Sequence, residues 1–242
     1  VGSRLNMEEW HHGQFGVNYY REVLNKAAEY QLAVNFHEPI KDTGERRTYP
    51  NMMSREGARG QEYNAWSEAT IPFTRMLSGP MDFTPGIFDV GISQGYPGRD
   101  VHTTLAKQLS LYVVLYSPIQ MLADLPENYV DHPAFKFLQD VPVDWYDTQV
   151  LNAEIGEYIT TVRKDRYSDD WYLGSLTNED PRSFEVSLSF LDEGAEYTAE
   201  IYADADGITW QNKADQVTIS KKTVTAMDTL SLKLAPGGGA AV

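Results

Sequence analysis

The sequence predicts an α/β region followed by an antiparallel β domain, with the boundary between residues 148 and 149. Apolar residues at helical spacing over 16–30 predict an amphipathic helix, and the apolar run 32–36 directly after it predicts a short buried strand. Helix followed by strand is the order typical of α/β layer proteins. From about residue 150, short runs rich in β-branched and aromatic residues alternate with turn-forming residues, which is the pattern of an antiparallel β domain.

Local composition predicts the remaining elements. Residues 40–62 hold few apolar side chains and many Gly, Arg, Asn and Pro, which predicts a long loop, and long ordered loops are more often functional than merely connecting. Residues 102–121 predict a second, strongly apolar helix that ends near Ser117, because Pro118 disfavours helix at the residue before it. The glycines at 237–239 predict a flexible end. Strands are predicted at 158–162, 171–173, 184–188, 197–202, 217–219 and 230–234.

Composition excludes several classes of function. The 242 residues include 35 acidic and 20 basic side chains, a net charge of −15, which argues against a nucleic-acid partner and suits neutral substrates or metal cations. There is no cysteine, so a disulfide framework, a thiolate zinc site and a cysteine nucleophile are excluded. No apolar run approaches the roughly 18 residues of a transmembrane helix, so no membrane span is predicted.

The densest polar cluster begins where the predicted strand 32–36 ends. His37 and Glu38 lie there, and the C-terminal ends of strands carry the functional site in α/β sheets. Glu56 and Glu62 follow in the loop, among further carboxylates and arginines. Hard oxygen ligands of this kind suit calcium, and paired carboxylates suit glycoside hydrolysis. A solvated charged loop has the same composition, and a charged helix N-terminus would be the favoured interpretation of Glu56 if this residue stood alone.

Two other motifs are weaker. Residues 91–95 match the G-x-S-x-G pattern around a nucleophilic serine, Ser93, but that motif needs a helix directly after the serine. The Gly-Tyr-Pro-Gly sequence at 95–98 predicts a turn instead, so a serine hydrolase is disfavoured. Asp82 lies in the turn-rich segment 81–86, where a solvated turn is favoured over a second strand end of the site.

Longer motifs carry a family resemblance over nearly the whole chain. They are His37-Glu38, Thr43-Gly44, Arg47-Thr48-Tyr49-Pro50-Asn51, Glu56, Ala58-Arg59-Gly60-Gln61-Glu62-Tyr63, Pro72-Phe73-Thr74-Arg75, 79–88, 108–109, 116–126 and 234–239. Together these motifs closely resemble glycoside hydrolase family 97.

The resemblance implies a particular architecture. Members of the family carry an N-terminal β-sandwich, a central (β/α)8 barrel and a C-terminal antiparallel β domain. Residues 1–148 would then form the second half of a TIM-type (β/α)8 barrel, and residues 149–242 a C-terminal antiparallel β-sandwich. A whole barrel takes about 250 residues. We therefore expect a chain that lacks the N-terminal half, that is weakly active or inactive alone, and that forms a homo-oligomer to cover the exposed half-barrel.

The resemblance also implies a function. Family members hydrolyse α-glucosides or α-galactosides with a calcium ion (Ca2+) in the active site, and are often exported to the periplasm. In the inverting, α-glucosidase-like branch the general acid falls on Glu62 and the general base on Glu38. The calcium ligands fall on Glu38, Glu56 and Glu62, and His37 would bind the sugar.

Glu38 favours that branch, because the retaining, α-galactosidase-like branch typically has glycine after the histidine. The substrates would be α-linked malto-oligosaccharides or starch fragments. The alternatives are a retaining α-galactosidase of the same family and a non-catalytic carbohydrate-binding or scaffold module.

Overall fold

A computed structural model of the chain describes residues 12–58, 60–61, 66–91 and 101–242. The α-helices are α1 (Gln14–Glu29), α2 (Glu45–Thr48), α3 (Leu105–Val114), α4 (Pro126–Tyr129) and α5 (Phe135–Asp140). The strands are β1 (Val34–Phe36), β2 (Met52–Arg55), β3 (Trp145–Glu154), β4 (Tyr158–Asp165), β5 (Trp171–Thr177), β6 (Arg182–Ser187), β7 (Tyr197–Asp204), β8 (Val217–Val224), β9 (Thr229–Leu234) and β10 (Gly239–Ala241). Three short 3-10 turns cover Trp66–Ala69, Ile71–Phe73 and Arg75–Ser78.

The N-terminal region is built around one parallel strand pair. β1 pairs with β2 in parallel, and α1 packs on the pair through Tyr20 and Leu24 against Phe36 and Met52. In the described residues before 144, the strands are β1 and β2 alone. An α/β arrangement is present here, and the half-barrel stays a prediction.

The prediction of an uninterrupted loop over 40–62 is wrong, because α2 and β2 lie within it. β2 has no apolar run that the sequence pattern could reveal. Two of its four residues, Ser54 and Arg55, are polar and nevertheless buried. Their burial is compensated by long-range partners: the Ser117 hydroxyl lies 3.0 Å from that of Ser54, and Arg55 pairs with Asp42 at 2.8 Å.

The C-terminal region is an antiparallel β domain, as predicted. Its main sheet has the strand order β3-β4-β5-β10-β7-β8, and the pair β6–β9 covers one face. Apolar side chains from both sheets form the core between them: Val162, Leu173, Val186, Leu188, Leu191, Val224, Leu230, Leu232, Leu234 and Ala240. The pattern missed β3, because this edge strand is largely exposed and lacks a regular apolar alternation.

The prediction of a flexible end at 237–239 is wrong. Gly239 begins β10, which lies in the middle of the main sheet and pairs antiparallel with both β5 and β7. A Cβ atom on Gly239 would lie 2.7 Å from the Cα of Lys107 and 2.7 Å from the carbonyl oxygen of Ser175. The glycine is therefore required by close packing and does not indicate flexibility.

Helix α3 covers the other face of the main sheet. All ten of its residues are buried, and Leu109 and Val113 share a core with Phe137 and Tyr202. The helix ends at Val114, earlier than predicted, because Leu115 already has an extended backbone (φ −98°, ψ 105°). None of the helices in the described part of the chain has the length and apolar character that a bilayer crossing needs.

Candidate active site

The predicted site residues of the first two strands lie at one edge. His37 and Glu38 follow β1, and Glu56 follows β2. Because the two strands are parallel, their C-terminal ends meet, and the backbone N–H of Glu38 donates to Glu56 Oε2 at 3.2 Å. The Nδ1 atom of His37 lies 3.8 Å from the same Glu56 oxygen. The structure thus brings together three of the four residues predicted for the site.

Asp82 joins this group, against the expectation of a solvated turn. Its side chain is 1% exposed, and its Oδ2 lies 2.7 Å from His37 Nε2 and 2.5 Å from Asn35 Nδ2. The Asp82 N–H donates to the carbonyl of Arg55 at 3.0 Å, so the segment lies beside the end of β2. The overlooked signal is Met-Asp-Phe, in which a carboxylate stands between two apolar side chains that are both buried.

The backbone around Glu38 and Glu56 is held by long-range hydrogen bonds. Glu38 has a positive φ of 46°, and its carbonyl accepts a hydrogen bond of 2.7 Å from the hydroxyl of Tyr20 on α1. The guanidinium of Arg75 donates to the carbonyls of Glu56 (2.8 Å) and Arg55 (3.1 Å). The strained backbone at Glu38 is thus fixed by its neighbours, which is common at functional sites.

The charges at this edge favour a protonated imidazole. Partial burial lowers the pKa of His37, but the hydrogen bond to Asp82 and the charges of Glu56 and Glu38 outweigh it. The pKa of His37 is therefore raised above its ordinary value. A partly positive ring among three carboxylates suits the binding of a polar, neutral ligand.

Glu62, the predicted general acid, lies outside the described residues, as does Ser93 of the disfavoured serine motif. The residue before Glu62 is described: the Gln61 side chain donates to the carbonyl of Thr84 at 2.7 Å, and the Gln108 side chain of α3 donates to the Gln61 side-chain oxygen. The pattern missed both glutamines. The signal that could have revealed Gln108 is an amide within an otherwise apolar helix.

The carboxylate oxygens at this edge are of the kind that calcium binds. Glu38 and Glu56 carry hard carboxylate oxygens, their residues meet through the Glu38 N–H, and calcium takes about 6–8 oxygen ligands. Within the ranges that the structure describes, no group of three or more His, Asp or Glu side chains is arranged to hold a metal.

Two family models match the chain. "Glycoside hydrolase 97" matches residues 6–58, which include β1, His37, Glu38 and Glu56. "Glycosyl-hydrolase 97 C-terminal, oligomerisation" matches residues 144–242, the β domain. The chain belongs to glycoside hydrolase family 97. Solved structures of the family agree: an enzyme from Pseudoalteromonas sp. strain K8 superposes with a TM-score of 0.89 and 52% identity, covering 96% of this chain and 38% of that one.

The named relatives differ in what they act on or bind. The same Pseudoalteromonas enzyme has been solved in complex with acarbose (TM-score 0.88, 52% identity) and with panose (TM-score 0.88, 51% identity). A retaining α-galactosidase of Bacteroides thetaiotaomicron is 36% identical over 230 residues, which are 89% of this chain and 34% of that protein. A probable retaining α-galactosidase of Streptomyces bingchenggensis is 32% identical over 232 residues, or 92% and 33%. This family 97 chain spans about a third of the length of the curated relatives that it matches.

Proposed function

We propose that the protein is a calcium-assisted glycoside hydrolase that cleaves α-glucosidic bonds of malto-oligosaccharides or starch fragments with inversion. The observation that carries this proposal is the meeting of His37, Glu38, Glu56 and Asp82 at the C-terminal edge of β1 and β2. The Pseudoalteromonas enzyme bound to panose, an oligosaccharide of α-linked glucose, is 51% identical, against 36% for the Bacteroides α-galactosidase.

In this proposal two carboxyl groups share the chemistry. Glu62 protonates the glycosidic oxygen as general acid, and Glu38 removes a proton from the attacking water as general base. Inverting pairs stand about 6.5–9.5 Å apart, so that a water fits between the base and the sugar. The fixed backbone at Glu38 keeps the base in place, and His37 binds the sugar beside it.

Calcium would be held by Glu38, Glu56 and Glu62. When bound, the cation supplies a positive template that orients the base and the substrate. The Arg75 contact with the Glu56 backbone keeps that ligand at the edge of the site. Isothermal titration of calcium into the wild-type chain and into a Glu56→Gln variant tests the assignment, and equal affinities would contradict it.

The catalytic assignment is tested by hydrolysis of nitrophenyl α-glucoside and α-galactoside, with NMR detection of the anomer first released. The assay uses the 242-residue chain alone and the longest polypeptide that contains it. We expect the longest polypeptide to cleave the glucoside with release of the β-anomer and to lose turnover in Glu62→Gln, and the 242-residue chain alone to be weakly active or inactive. Glu127→Gln, on the exposed part of α4, is a control that should leave turnover unchanged.

The second candidate is a retaining α-galactosidase, which the names of the two curated relatives favour. It predicts galactoside cleavage with the α-anomer released first. A third possibility, a carbohydrate-binding module without catalysis, predicts that sugar binds and that Glu62→Gln changes nothing.

The same proposal includes self-association and export. Residues 144–242 match a family model described as serving oligomerisation, and this supports a homo-oligomer formed through the β domain. Light scattering during gel filtration measures the mass in solution, and a monomer at all concentrations would contradict the proposal. Export to the periplasm is tested by fractionation of the producing cells.

A further inference from the structure

The side chain of Asp82 is buried, and it stands in the sequence between two buried apolar residues. It is 1% exposed, and its neighbours along the chain, Met81 and Phe83, are 1% and 2% exposed. Burial of a charged carboxylate is costly unless hydrogen bonds compensate it. Asp82 has such partners: Oδ2 binds His37 Nε2 and Asn35 Nδ2, and Oδ1 accepts from the backbone N–H of Thr84 at 3.2 Å.

The direction of the contact with His37 follows from chemistry. An ionised carboxylate only accepts hydrogen bonds, so His37 Nε2 must carry the proton and donate it. The other ring nitrogen, Nδ1, then points to the edge where Glu56 lies, at 3.8 Å. Asp82 therefore determines both the orientation of the ring and which nitrogen faces the site.

The two residues of this contact come from separate parts of the chain, and backbone hydrogen bonds fix the position of Asp82. His37 follows β1, whereas Asp82 is anchored beside β2 through the carbonyl of Arg55 at 3.0 Å. The preceding residue, Met81, donates its N–H to the carbonyl of Tyr116 at 3.1 Å. The carboxylate binds the imidazole through Nε2, in the way that buried acids orient functional histidines in other enzymes.

We propose that Asp82 is a positioning residue, which holds His37 as the Nε2–H tautomer and directs Nδ1 toward the ligand. The consequence for activity rests on the proposed function, in which His37 binds the sugar. The effect on the ring itself does not, because it is a property of the free protein. The two parts can therefore fail separately.

The decisive measurement is long-range 1H–15N correlation NMR of the chain labelled with 15N-histidine, at alkaline pH where the rings are neutral. The chain has 5 histidines, and the His37 signals are those lost in His37→Gln. We expect the Nε2–H pattern for His37 in the wild-type protein. The Nδ1–H pattern there would overturn the proposal without any variant of Asp82.

The second measurement is the same spectrum of Asp82→Asn. An amide presents a donor as well as an acceptor, so it cannot satisfy His37, Asn35 and Thr84 in the same arrangement. We expect the His37 signals to move toward the Nδ1–H pattern or to a mixture. Asp124→Asn is the matched control, because Asp124 accepts from the backbone N–H groups of Phe88 and Asp89 and not from a histidine.

The third measurement compares the kinetics of Asp82→Asn and Asp124→Asn with those of the wild-type protein. Replacing a residue that orients a functional histidine typically costs about 10–100-fold in activity or affinity. We expect Asp82→Asn to lower kcat/KM by that factor at unchanged melting temperature, with Asp124→Asn close to wild type. Unchanged His37 signals in a folded Asp82→Asn protein would overturn the positioning role. The kinetics are measured in the longest polypeptide that contains the chain. Absence of hydrolysis there in wild type and variants, with the expected NMR pattern, would overturn the proposed function alone.

Discussion

The carboxylate of Asp204 accepts a hydrogen bond of 2.5 Å from the hydroxyl of Thr104, the residue that caps the N-terminus of α3. The other oxygen of Asp204 accepts from the backbone N–H groups of Ala235 (2.8 Å) and Gly239 (2.9 Å). One buried carboxylate thus joins the end of β7, the start of α3 and the segment that leads into β10. The β domain and the helix beside the candidate site are built as one unit around this contact.

We expect Asp204 to make the protein less stable as the pH rises from about 4 to 6. Burial raises the pKa of Asp204 to about 6 in the folded protein, above the ordinary 3.8 of the unfolded chain. The unfolded chain loses its proton first, so the free energy of unfolding falls through this window by about 2 kcal/mol. Asp204→Asn keeps the shape and removes the titration, so urea denaturation between pH 4 and 6 should show a flatter slope.

Asp228→Asn is the control for that slope. Hydrogen bonds from Thr225 lower the pKa of Asp228, so its proton is bound or released below about pH 4. The change in stability between pH 4 and 6 should match wild type in this variant. Equal slopes for wild type and Asp204→Asn would contradict the assignment.

A second prediction concerns the buried pair of Lys107 and Glu68, whose Nζ and Oε2 atoms lie 3.6 Å apart. Lys107→Met leaves the Glu68 carboxylate buried without its cation, and we expect a loss of about 3–5 kcal/mol in the free energy of unfolding. Adding Glu68→Gln should restore part of that loss, because the uncompensated charge is gone. Lys26→Met, in the exposed pair with Glu29, should cost about 0–1 kcal/mol in the same urea titration.

The sequence predicted α1 and strands β4 to β9 of the β domain because their apolar periodicity is local. The local apolar pattern did not reveal β2 or β10, and the physical reason is the same for both strands. β2 buries Ser54 and Arg55 through partners far along the chain, and β10 is a Gly-Ala-Ala strand whose small side chains fit under α3. In both strands, packing against distant segments overrides the local pattern.

The sequence revealed some residues of the candidate site and not others, for a related reason. His37 and Glu38 directly follow an apolar run, so the rule about strand ends found them without structural information. Asp82 follows a segment rich in Pro and Gly, and its burial depends on contacts with β1 and β2 that no local window contains. The pairing of His37 with Asp82 over 45 residues is visible only in three dimensions.

A third prediction concerns Gly174 of β5, which lies under α3. A Cβ atom there would stand 2.6 Å from the carbonyl oxygen of Ser110 and 2.8 Å from the Cβ of Val113. Gly174→Ala should therefore push the helix from the sheet and cost about 1–3 kcal/mol. Gly91→Ala is the control, since among the described residues the nearest atom to a Cβ there would be Asp89 Oδ1 at 3.9 Å. Equal melting temperatures for the two variants would argue against tight packing of α3.

The last prediction concerns Arg75, which donates to the carbonyls of Arg55 (3.1 Å), Glu56 (2.8 Å) and Pro80 (3.2 Å). Arg75→Met leaves these partly buried carbonyls without their donor, so we expect a loss of about 2–4 kcal/mol in stability. Because the Glu56 backbone is then free to move, hydrogen exchange over 55–58 should also accelerate, and calcium should bind more weakly.

The exposed Arg47 provides the control: Arg47→Met removes the same charge, and its stability should stay within about 0.5 kcal/mol of wild type. Faster exchange in both variants would mean that net charge, and not the guanidinium contacts, holds the segment.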